Sequence, residues 1–265
     1  MVQAPSRRDR VRAATIEEIK GTARQLLVDE GPEAVSLRAI GRAMGMTAPA
    51  LYRYFGSRED LLQHVCGDIF TEIAADIHAA IDRAAEDTGG DMTAKMIAAC
   101  SAFRSWALAH RPEFGMLFGT PLPGLEVLHE GVGAVSVVAQ CADKFSRQFL
   151  TLFFELWTKH PFPAPADSEI DPGLLAQLIR YRDALGADLP AGAVLIFLRC
   201  WVRLYGMVTL EVFDHLHFAL DDPSAMFEYT LGELAELVGL QYPATRGPAP
   251  DAGRTAPPAG AARPR

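Results

Sequence analysis

The chain has 265 residues, of which 49% are hydrophobic, and a formal net charge of −8 at pH 7. This length and composition predict one small and one medium folded domain, and no apolar run approaches the ~20 residues of a membrane-spanning helix. The start has no hydrophobic segment after its arginines, so no secretory signal is expected. Four widely spaced cysteines without a CxxC pair are typical of reduced thiols in a cytoplasmic protein.

The N-terminal region combines a basic start with one amphipathic helix. Residues 1–10 are predicted to form a disordered basic arm. A helix is expected from about residue 11, with Thr15 and Glu18 as a capping box and an apolar face that includes Ile19, Ala23 and Leu27. Gly31-Pro32 is a strong signal for the end of this helix.

The segment Ser36–Phe55 reads as two short helices joined by a tight turn. Ser36 suits the N-cap of the first helix, and Gly45 follows it where a helix end favours positive φ. Thr47 is expected to cap the second helix, whose Leu51 and Phe55 would anchor it inward. This pattern predicts a helix-turn-helix, a motif that places its second helix in the DNA major groove. A helix hairpin without nucleic acid would show the same pattern.

A long helix is predicted to follow the motif. Ser57 and Asp60 open it like a capping box, and apolar residues recur at helical spacing as far as Ile77. One helix, a helix-turn-helix (residues 36–55) and this exit helix form a predicted DNA-binding domain at residues 11–73.

This domain resembles the N-terminal domain of the tetracycline-repressor (TetR) family of bacterial transcription regulators. The matching segments are Gly45-Met46-Thr47, Leu51-Tyr52-Arg53-Tyr54-Phe55 and Ser57-Arg58-Glu59-Asp60-Leu61-Leu62, together with Ala23 to Gly31 and Val35 to Ile40. The resemblance covers about 60 residues of the chain. It implies a double-stranded DNA operator as the partner of this domain.

The resemblance also implies which residues meet DNA. Ser36, Arg38 and Arg58 match positions that contact phosphates, and the others lie on the recognition helix. The expected DNA-binding set is Ser36, Arg38, Thr47, Ala48, Pro49, Tyr52, Arg53, Tyr54 and Arg58. Arg53 suits either a guanine or a phosphate. The basic arm either tracks phosphates or enters a minor groove, or it is a disordered terminus without a partner.

Charge is distributed unevenly along the chain. Residues 1–60 hold 10 Lys or Arg against 8 Asp or Glu, whereas residues 61–265 hold 15 against 25. An acidic protein is poorly suited to binding a polyanion, but the basic excess lies in the region of the motif.

The remainder of the chain is predicted to be helical. A C-terminal domain is expected at residues 74–240, with helices at 91–110, from 111 through Phe118, one ending near His160, 172–185, 191–218 and from 222 to about Val238. Residues 241–265 are rich in Pro, Ala, Gly and Arg, which predicts a disordered tail. The expected fold class is therefore all-α.

Two segments of this region resemble one TetR-family C-terminal domain, which is marked by a Trp…His-Gly pattern. They are His110–Gly124 and Trp201–Gly206, in which Tyr205 replaces the usual His. The resemblance implies a domain that binds a ligand and forms a dimer. The last two helices carry apolar residues around much of their circumference, which also predicts a homodimer through these helices.

Aromatic residues in this domain are candidates for lining an effector cavity. The alternative is that they form plain core. The candidate ligand-binding residues are Phe103, Trp106, Phe114, Phe118, Phe153, Trp157, Trp201 and Tyr205. An apolar cavity would select a hydrophobic or aromatic small molecule.

No catalytic or cofactor motif is recognisable. Asp214, His215 and His217 suggest a metal site, but positions i and i+2 of a helix face apart, so no metal and no cofactor are expected. The sequence thus predicts a DNA-binding transcriptional regulator, with a ligand-responsive repressor that binds a palindromic operator as a homodimer as the expected type. A transcriptional activator of the same fold, or a small-molecule-binding helical protein with an inert hairpin, are the alternatives.

Overall fold

The structure is a computed structural model that describes residues 6–119 and 137–243. These residues form ten α-helices and no strand, which confirms the predicted all-α class. The helices are α1 (Arg7–Glu30), α2 (Leu37–Met44), α3 (Ala48–Leu51), α4 (Arg58–Thr88), α5 (Met92–Ala109), α6 (Arg111–Phe118), α7 (Val137–Lys159), α8 (Pro172–Leu185), α9 (Ala191–Val212) and α10 (Ser224–Leu237).

Helix α1 begins inside the segment that was predicted to be a disordered arm. Ser6 and Asp9 form a complete capping box, because the Ser6 side chain accepts from the Asp9 backbone and Asp9 accepts from the Ser6 backbone. The expected start near residue 11 is therefore wrong, and Thr15 instead donates to the Val11 carbonyl oxygen. The basic residues Arg7 to Arg12 lie on an ordered helix, while residues 1–5 lie outside the described residues.

Helices α1 to α3 and the start of α4 enclose a small core. Ile19 and Leu27 from α1, Ile40 from α2, and Leu51 and Leu61 from the following helices are almost completely buried. Their burial removes apolar surface from water, which is the main stabilising contribution to such a domain. This core fixes the orientation of the short helix α3.

Helix α4 connects the two domains, because its residues run without a break across the predicted boundary at residue 73. It packs most extensively on α5 and α7 and also contacts α1 and α6. Its buried stripe continues from Val65 through Ile69, Ile73 and Ile77 to Ile81. One continuous helix therefore belongs both to the C-terminal bundle and, at its start, to the N-terminal core.

Helix α9 ends earlier than the sequence predicts. It stops at Val212 rather than near residue 218, and Asp214 takes a left-handed φ of 60° that a regular helix does not allow. Asp214, His215 and His217 consequently lie in turns, and not on a helix as the metal argument assumed. The loop at residues 120–124 and the tail from residue 244 onward lie outside the described residues.

By length and composition, one described helix could cross a membrane. Helix α9 has a mean hydropathy of 1.6 over an 18-residue window, although core helices of soluble proteins pass the same test. Two of its charged residues have partners within the protein, since Glu211 pairs with Arg104 and Arg203 lies 3.8 Å from Glu233. One such helix is weak evidence for a membrane span.

Candidate nucleic-acid interface and effector cavity

The recognition segment is a single helical turn followed by further turns. Helix α3 covers only Ala48–Leu51, and residues 52–54 continue as turns, so the expected helix through Tyr54 is too long. Leu51 and Phe55 are buried, as predicted, and leave Tyr52 and Arg53 exposed on the outer surface. The segment thus offers a phenol and a guanidinium to a ligand outside the protein.

Local caps set the geometry of the two motif helices. The Ser36 hydroxyl accepts from the Ala39 backbone, and Gly45 adopts a φ of 66° at the end of α2, as predicted. Thr47 occupies the N-cap position of α3, but its side chain makes no capping hydrogen bond, contrary to the prediction. Since Thr47 is exposed, its hydroxyl remains available to an external partner.

Gly41 allows the two motif helices to approach closely. A Cβ atom at this position would lie 2.8 Å from the Met46 carbonyl oxygen and 3.4 Å from the Leu51 side chain. The Met46 N–H also donates to the Gly41 carbonyl oxygen, at 2.8 Å. The sequence argument missed this glycine, because a buried glycine inside an apolar face gives no periodic signal.

Arg12 holds the end of the recognition segment. Its guanidinium donates to the Arg53 carbonyl oxygen at 3.2 Å and lies 5.1 Å from the centroid of the Tyr54 ring. Arg12 lies just after the segment that was predicted to be a disordered basic arm, and in the structure it contacts the recognition segment. Arg12 and Arg53 are 41 positions apart, so no local sequence pattern could have predicted their contact.

Arg58 has a different environment from the one that the resemblance implies. It donates from Nε to the Val35 carbonyl oxygen and from Nη2 to the Pro32 carbonyl oxygen, each at 2.7 Å. Arg58 thus braces the connection between α1 and α2. By contrast, Arg38 on α2 is exposed, as a phosphate contact requires.

The C-terminal bundle contains an apolar cavity of about 60 Å³ between α5, α7, α9 and α10. Of the eight predicted ligand-binding residues, Phe153 and Trp201 line it. Its complete lining is Thr93, Met96, Ile97, Cys100, Phe149, Phe153, Phe197, Cys200, Trp201, Leu204, Leu231, Leu234, Ala235, Val238 and Leu240. Sequence spacing could not select this set, since it depends on which helix faces meet.

The other six predicted ligand residues lie outside this cavity. Phe103, Phe114 and Phe118 pack together, with ring centroids 4.8 to 6.1 Å apart. The Tyr205 hydroxyl donates to the Phe118 carbonyl oxygen, so it belongs to the same core. Trp157 packs edge-on against Phe162. Trp106 donates its indole N–H to Glu72 and stacks on His110.

An aromatic cluster connects the cavity to α4. The cavity residue Phe149 packs 5.8 Å from Phe145, and Trp201 lies at the same distance from Phe145. Phe145 in turn lies 5.9 Å from Phe70 on α4. Two ring contacts therefore separate the cavity wall from α4.

A second connection is ionic and joins three helices. Arg24 on α1 donates to both Glu72 on α4 and Glu113 on α6. These hydrogen bonds from Arg24 lower the pKa of the Glu72 carboxyl group, with further contributions from Trp106 and His110. Arg24 therefore ties the helix-turn-helix domain to the C-terminal bundle, a role that the sequence argument did not assign.

Helices α9 and α10 expose apolar side chains. Val202 on α9 and Tyr229 on α10 are each 66% exposed, and Leu210 and Met226 are also exposed. Exposed apolar groups on adjacent helices are typical of a protein–protein interface.

The family comparisons agree with this two-domain structure. Residues 19–65 match the model for bacterial regulatory proteins of the tetR family, and residues 96–234 match the tetracyclin repressor-like C-terminal domain. HTH-type transcriptional regulators of Mycobacterium bovis and Mycobacterium tuberculosis are 29% identical over 225 residues. That alignment covers 83% of this chain and 89% of either relative.

Solved structures also match across both domains. The crystal structure of SCO4313, which is described as a regulatory protein, has a TM-score of 0.66 and 27% identity, and the match covers 87% of this chain and 100% of that one. A Rhodococcus sp. RHA1 protein of unknown function has a TM-score of 0.53 at 21% identity, over 85% of this chain and 94% of that one, and shows the fold alone. The chain belongs to the TetR family and is a DNA-binding transcriptional regulator rather than an enzyme.

Proposed function

We propose that this protein is a ligand-responsive repressor that binds a palindromic operator as a homodimer. The proposed DNA contacts come from the exposed or half-buried residues Ser36, Arg38, Thr47, Ala48, Pro49, Tyr52, Arg53 and Tyr54. Arg58 is left out of this set because both of its hydrogen bonds brace a loop. Arg12 adds positive charge beside the same segment, since its guanidinium contacts the Arg53 carbonyl oxygen and the Tyr54 ring.

Dimerisation through α9 and α10 would supply the second recognition segment. One short helix reads only a few base pairs, so a specific site needs two, with centres about 34–36 Å apart on one face of the duplex. The exposed Val202, Leu210, Met226 and Tyr229 provide an apolar surface for this contact. A twofold interface of this kind presents the same surface from both protomers, which explains why the operator is expected to be palindromic.

The effector is proposed to be a hydrophobic or aromatic small molecule in the apolar cavity. The observation that carries this proposal is the unbroken contact path from Phe149 and Trp201 through Phe145 to Phe70 on α4. The cavity volume of about 60 Å³ is far below the ~300 Å³ of ordinary ligand sites. A ligand therefore favours a state with displaced walls.

The ligand is expected to bind the state with displaced walls more tightly than the state with closed walls. Only such a difference in affinity allows a ligand to change DNA binding. When the walls of the cavity separate, Phe70 and the start of α4 move with them. The two recognition segments of a dimer then lose the spacing that the operator requires. Repression follows if the unliganded state is the one that binds DNA.

Selection of DNA from a random pool by the purified full-length protein tests the proposal. We expect an inverted repeat, bound with an affinity that falls steeply with salt as phosphate contacts release counterions. Hydrophobic effector candidates should release this DNA. Selection of an asymmetric half-site, or of no sequence at all, would contradict the proposal.

A further inference from the structure

A second cavity shares a wall with the first. It lies between α7, α8 and α9 and has a volume of about 110 Å³. Its lining is Ser146, Phe149, Tyr181, Phe197, Leu198 and Trp201. Three of these rings, Phe149, Phe197 and Trp201, also line the first cavity, so the two spaces are separated by side chains alone.

The first cavity offers no charged group to a ligand. Its side chains are apolar except for the Thr93 hydroxyl and the thiols of Cys100 and Cys200. Burial raises the pKa of the Cys100 thiol to about 12 and that of the Cys200 thiol to about 11, so both are uncharged at neutral pH. An ionised ligand group would lose its hydration here without a compensating partner.

The second cavity supplies two hydroxyl groups of complementary character. The Ser146 hydroxyl donates its hydrogen to the Ala142 carbonyl oxygen, which leaves its own oxygen to accept from a ligand. Burial raises the pKa of Tyr181, and the nearby charge of Asp143 raises it further, so the phenol keeps its proton and can donate. Among the described residues, none that lines either cavity is charged, so an anionic ligand group would find no charged partner beside Tyr181 either.

We propose that the two cavities form one elongated effector site, in which Tyr181 selects a neutral ligand with an apolar body and a single hydroxyl or carbonyl head group. The inference rests on the proposed function, because it assigns the chemical class of the effector in that site. The apolar body occupies the space beside Cys100 and Cys200, and the head group reaches Tyr181 and Ser146. Displacement of the shared rings joins the two spaces.

This arrangement places the moving parts at the start of the contact path to α4. The shared residue Trp201 lies 5.8 Å from Phe145, which contacts Phe70 on α4. A ligand that spans both cavities must displace the three rings between them, Phe149, Phe197 and Trp201. Phe145 then loses its contacts with Phe149 and Trp201, and its packing against Phe70 changes.

Three probes that share a propylbenzene body and differ at the para position test the head-group preference. Binding of 4-propylphenol, propylbenzene and 4-propylbenzoate to the purified full-length protein is measured by calorimetry and by quenching of tryptophan fluorescence. We expect 4-propylphenol to bind about fivefold more tightly than propylbenzene, the effect of one hydrogen bond, and 4-propylbenzoate to bind most weakly. Tyr181→Phe should remove the advantage of the phenol and leave the affinity for propylbenzene unchanged.

Tyr205→Phe is the matched control, because it removes a hydroxyl that is bound to the Phe118 carbonyl oxygen. It should keep the preference for the phenol. Leu198→Phe narrows the second cavity alone and should weaken 4-propylphenol binding, with the folded state of each variant checked by circular dichroism.

Equal affinities for the three probes, an unchanged preference in Tyr181→Phe, or no binding of any probe would overturn the inference. DNA binding by the same samples is measured separately. If the protein binds its operator but not the probes, the head-group inference fails while the regulator function stands. If it binds no DNA, the proposed function fails whatever the probes do.

Discussion

The Nε atom of Arg24 lies 3.1 Å from Oε1 of Glu113, which joins the first helix of the helix-turn-helix domain to α6 of the C-terminal bundle. Glu113 is only 3% exposed, so its charge depends on this partner for compensation. Arg24 also contacts Glu72 at 2.5 Å, and Glu72 accepts from the Trp106 indole. Two carboxylates therefore share one guanidinium at the junction between the domains.

Glu113→Gln should weaken this junction. Glutamine has the shape of glutamate but lacks the negative charge that pairs with Arg24. We therefore expect the free energy of unfolding, measured by urea titration, to fall by about 1–2 kcal/mol. Arg147→Gln is the control, since it breaks the exposed pair with Asp143 and should change stability by less than about 0.5 kcal/mol. Equal losses in the two variants would show that the Arg24–Glu113 contact has no special role.

Glu72 makes the junction sensitive to acid. Hydrogen bonds from Arg24 lower its pKa below the usual 4.5, so its contribution to stability is fully present above that value. As pH falls through the lowered pKa, Glu72 takes up a proton and the contribution is lost. The stability difference between the wild type and Glu72→Gln should be constant from pH 7 to about pH 5 and shrink below pH 4.5. A difference that persists at pH 2 would rule out this linkage.

Gly41→Ala should disrupt the motif. The added methyl group would meet the Met46 carbonyl oxygen at 2.8 Å, and a backbone atom cannot move aside as a flexible side chain does. We expect a loss of about 1–3 kcal/mol in stability and weaker DNA binding. Gly21→Ala on α1 is the control, because its Cβ would have no neighbour within 4 Å. That substitution should be neutral or stabilising by up to about 1 kcal/mol. Similar results for both would remove the steric explanation.

Arg53→Ala tests the recognition segment without affecting the core. Arg53 is exposed and contributes only its backbone carbonyl to the contact with Arg12, so the melting temperature should hardly change. Operator affinity should fall by about tenfold or more, from the loss of a phosphate or guanine contact. If Arg53 contacts a phosphate, the slope of log affinity against log salt concentration should become shallower by about one in the variant. If it contacts a guanine, the variant should instead lose its base preference at one position of the operator. Arg83→Ala near the far end of α4 should leave DNA binding unchanged.

Much of the fold could be predicted from short-range patterns. Ser36, Gly45 and Ser57 occupy the cap positions that the sequence assigned, because a cap is recognised within four residues of the helix end. The start of α1 was missed since the Ser6–Asp9 capping box lies in a segment whose charge suggested disorder. The family resemblance supplied the domain order.

Long-range contacts explain what the sequence could not predict. Arg24 and Glu113 are 89 positions apart, and nothing local distinguishes them from solvated charges. The aromatic residues of the C-terminal domain recur at helical spacing whether they line a cavity or fill a core. Phe153 on α7 lines the cavity. Phe103 on α5 does not, because its ring packs into the aromatic cluster, 6.1 Å from Phe149.

Val202→Asp tests the proposed dimer. Val202 is 66% exposed on α9, so a charge there is well hydrated in a protomer and should leave its fold intact. In a twofold interface the two introduced carboxylates would lie close together and lose their hydration. Their desolvation and mutual repulsion would destabilise the dimer, whereas each carboxylate stays hydrated in a separate protomer. Sedimentation should therefore show a shift from dimer to monomer and a matching loss of operator affinity. Leu174→Asp on α8 is the control, since Leu174 is exposed outside α9 and α10 and its substitution should preserve the dimer. If Val202→Asp remains dimeric and binds DNA normally, the interface must lie elsewhere and the spacing of the recognition segments needs another explanation.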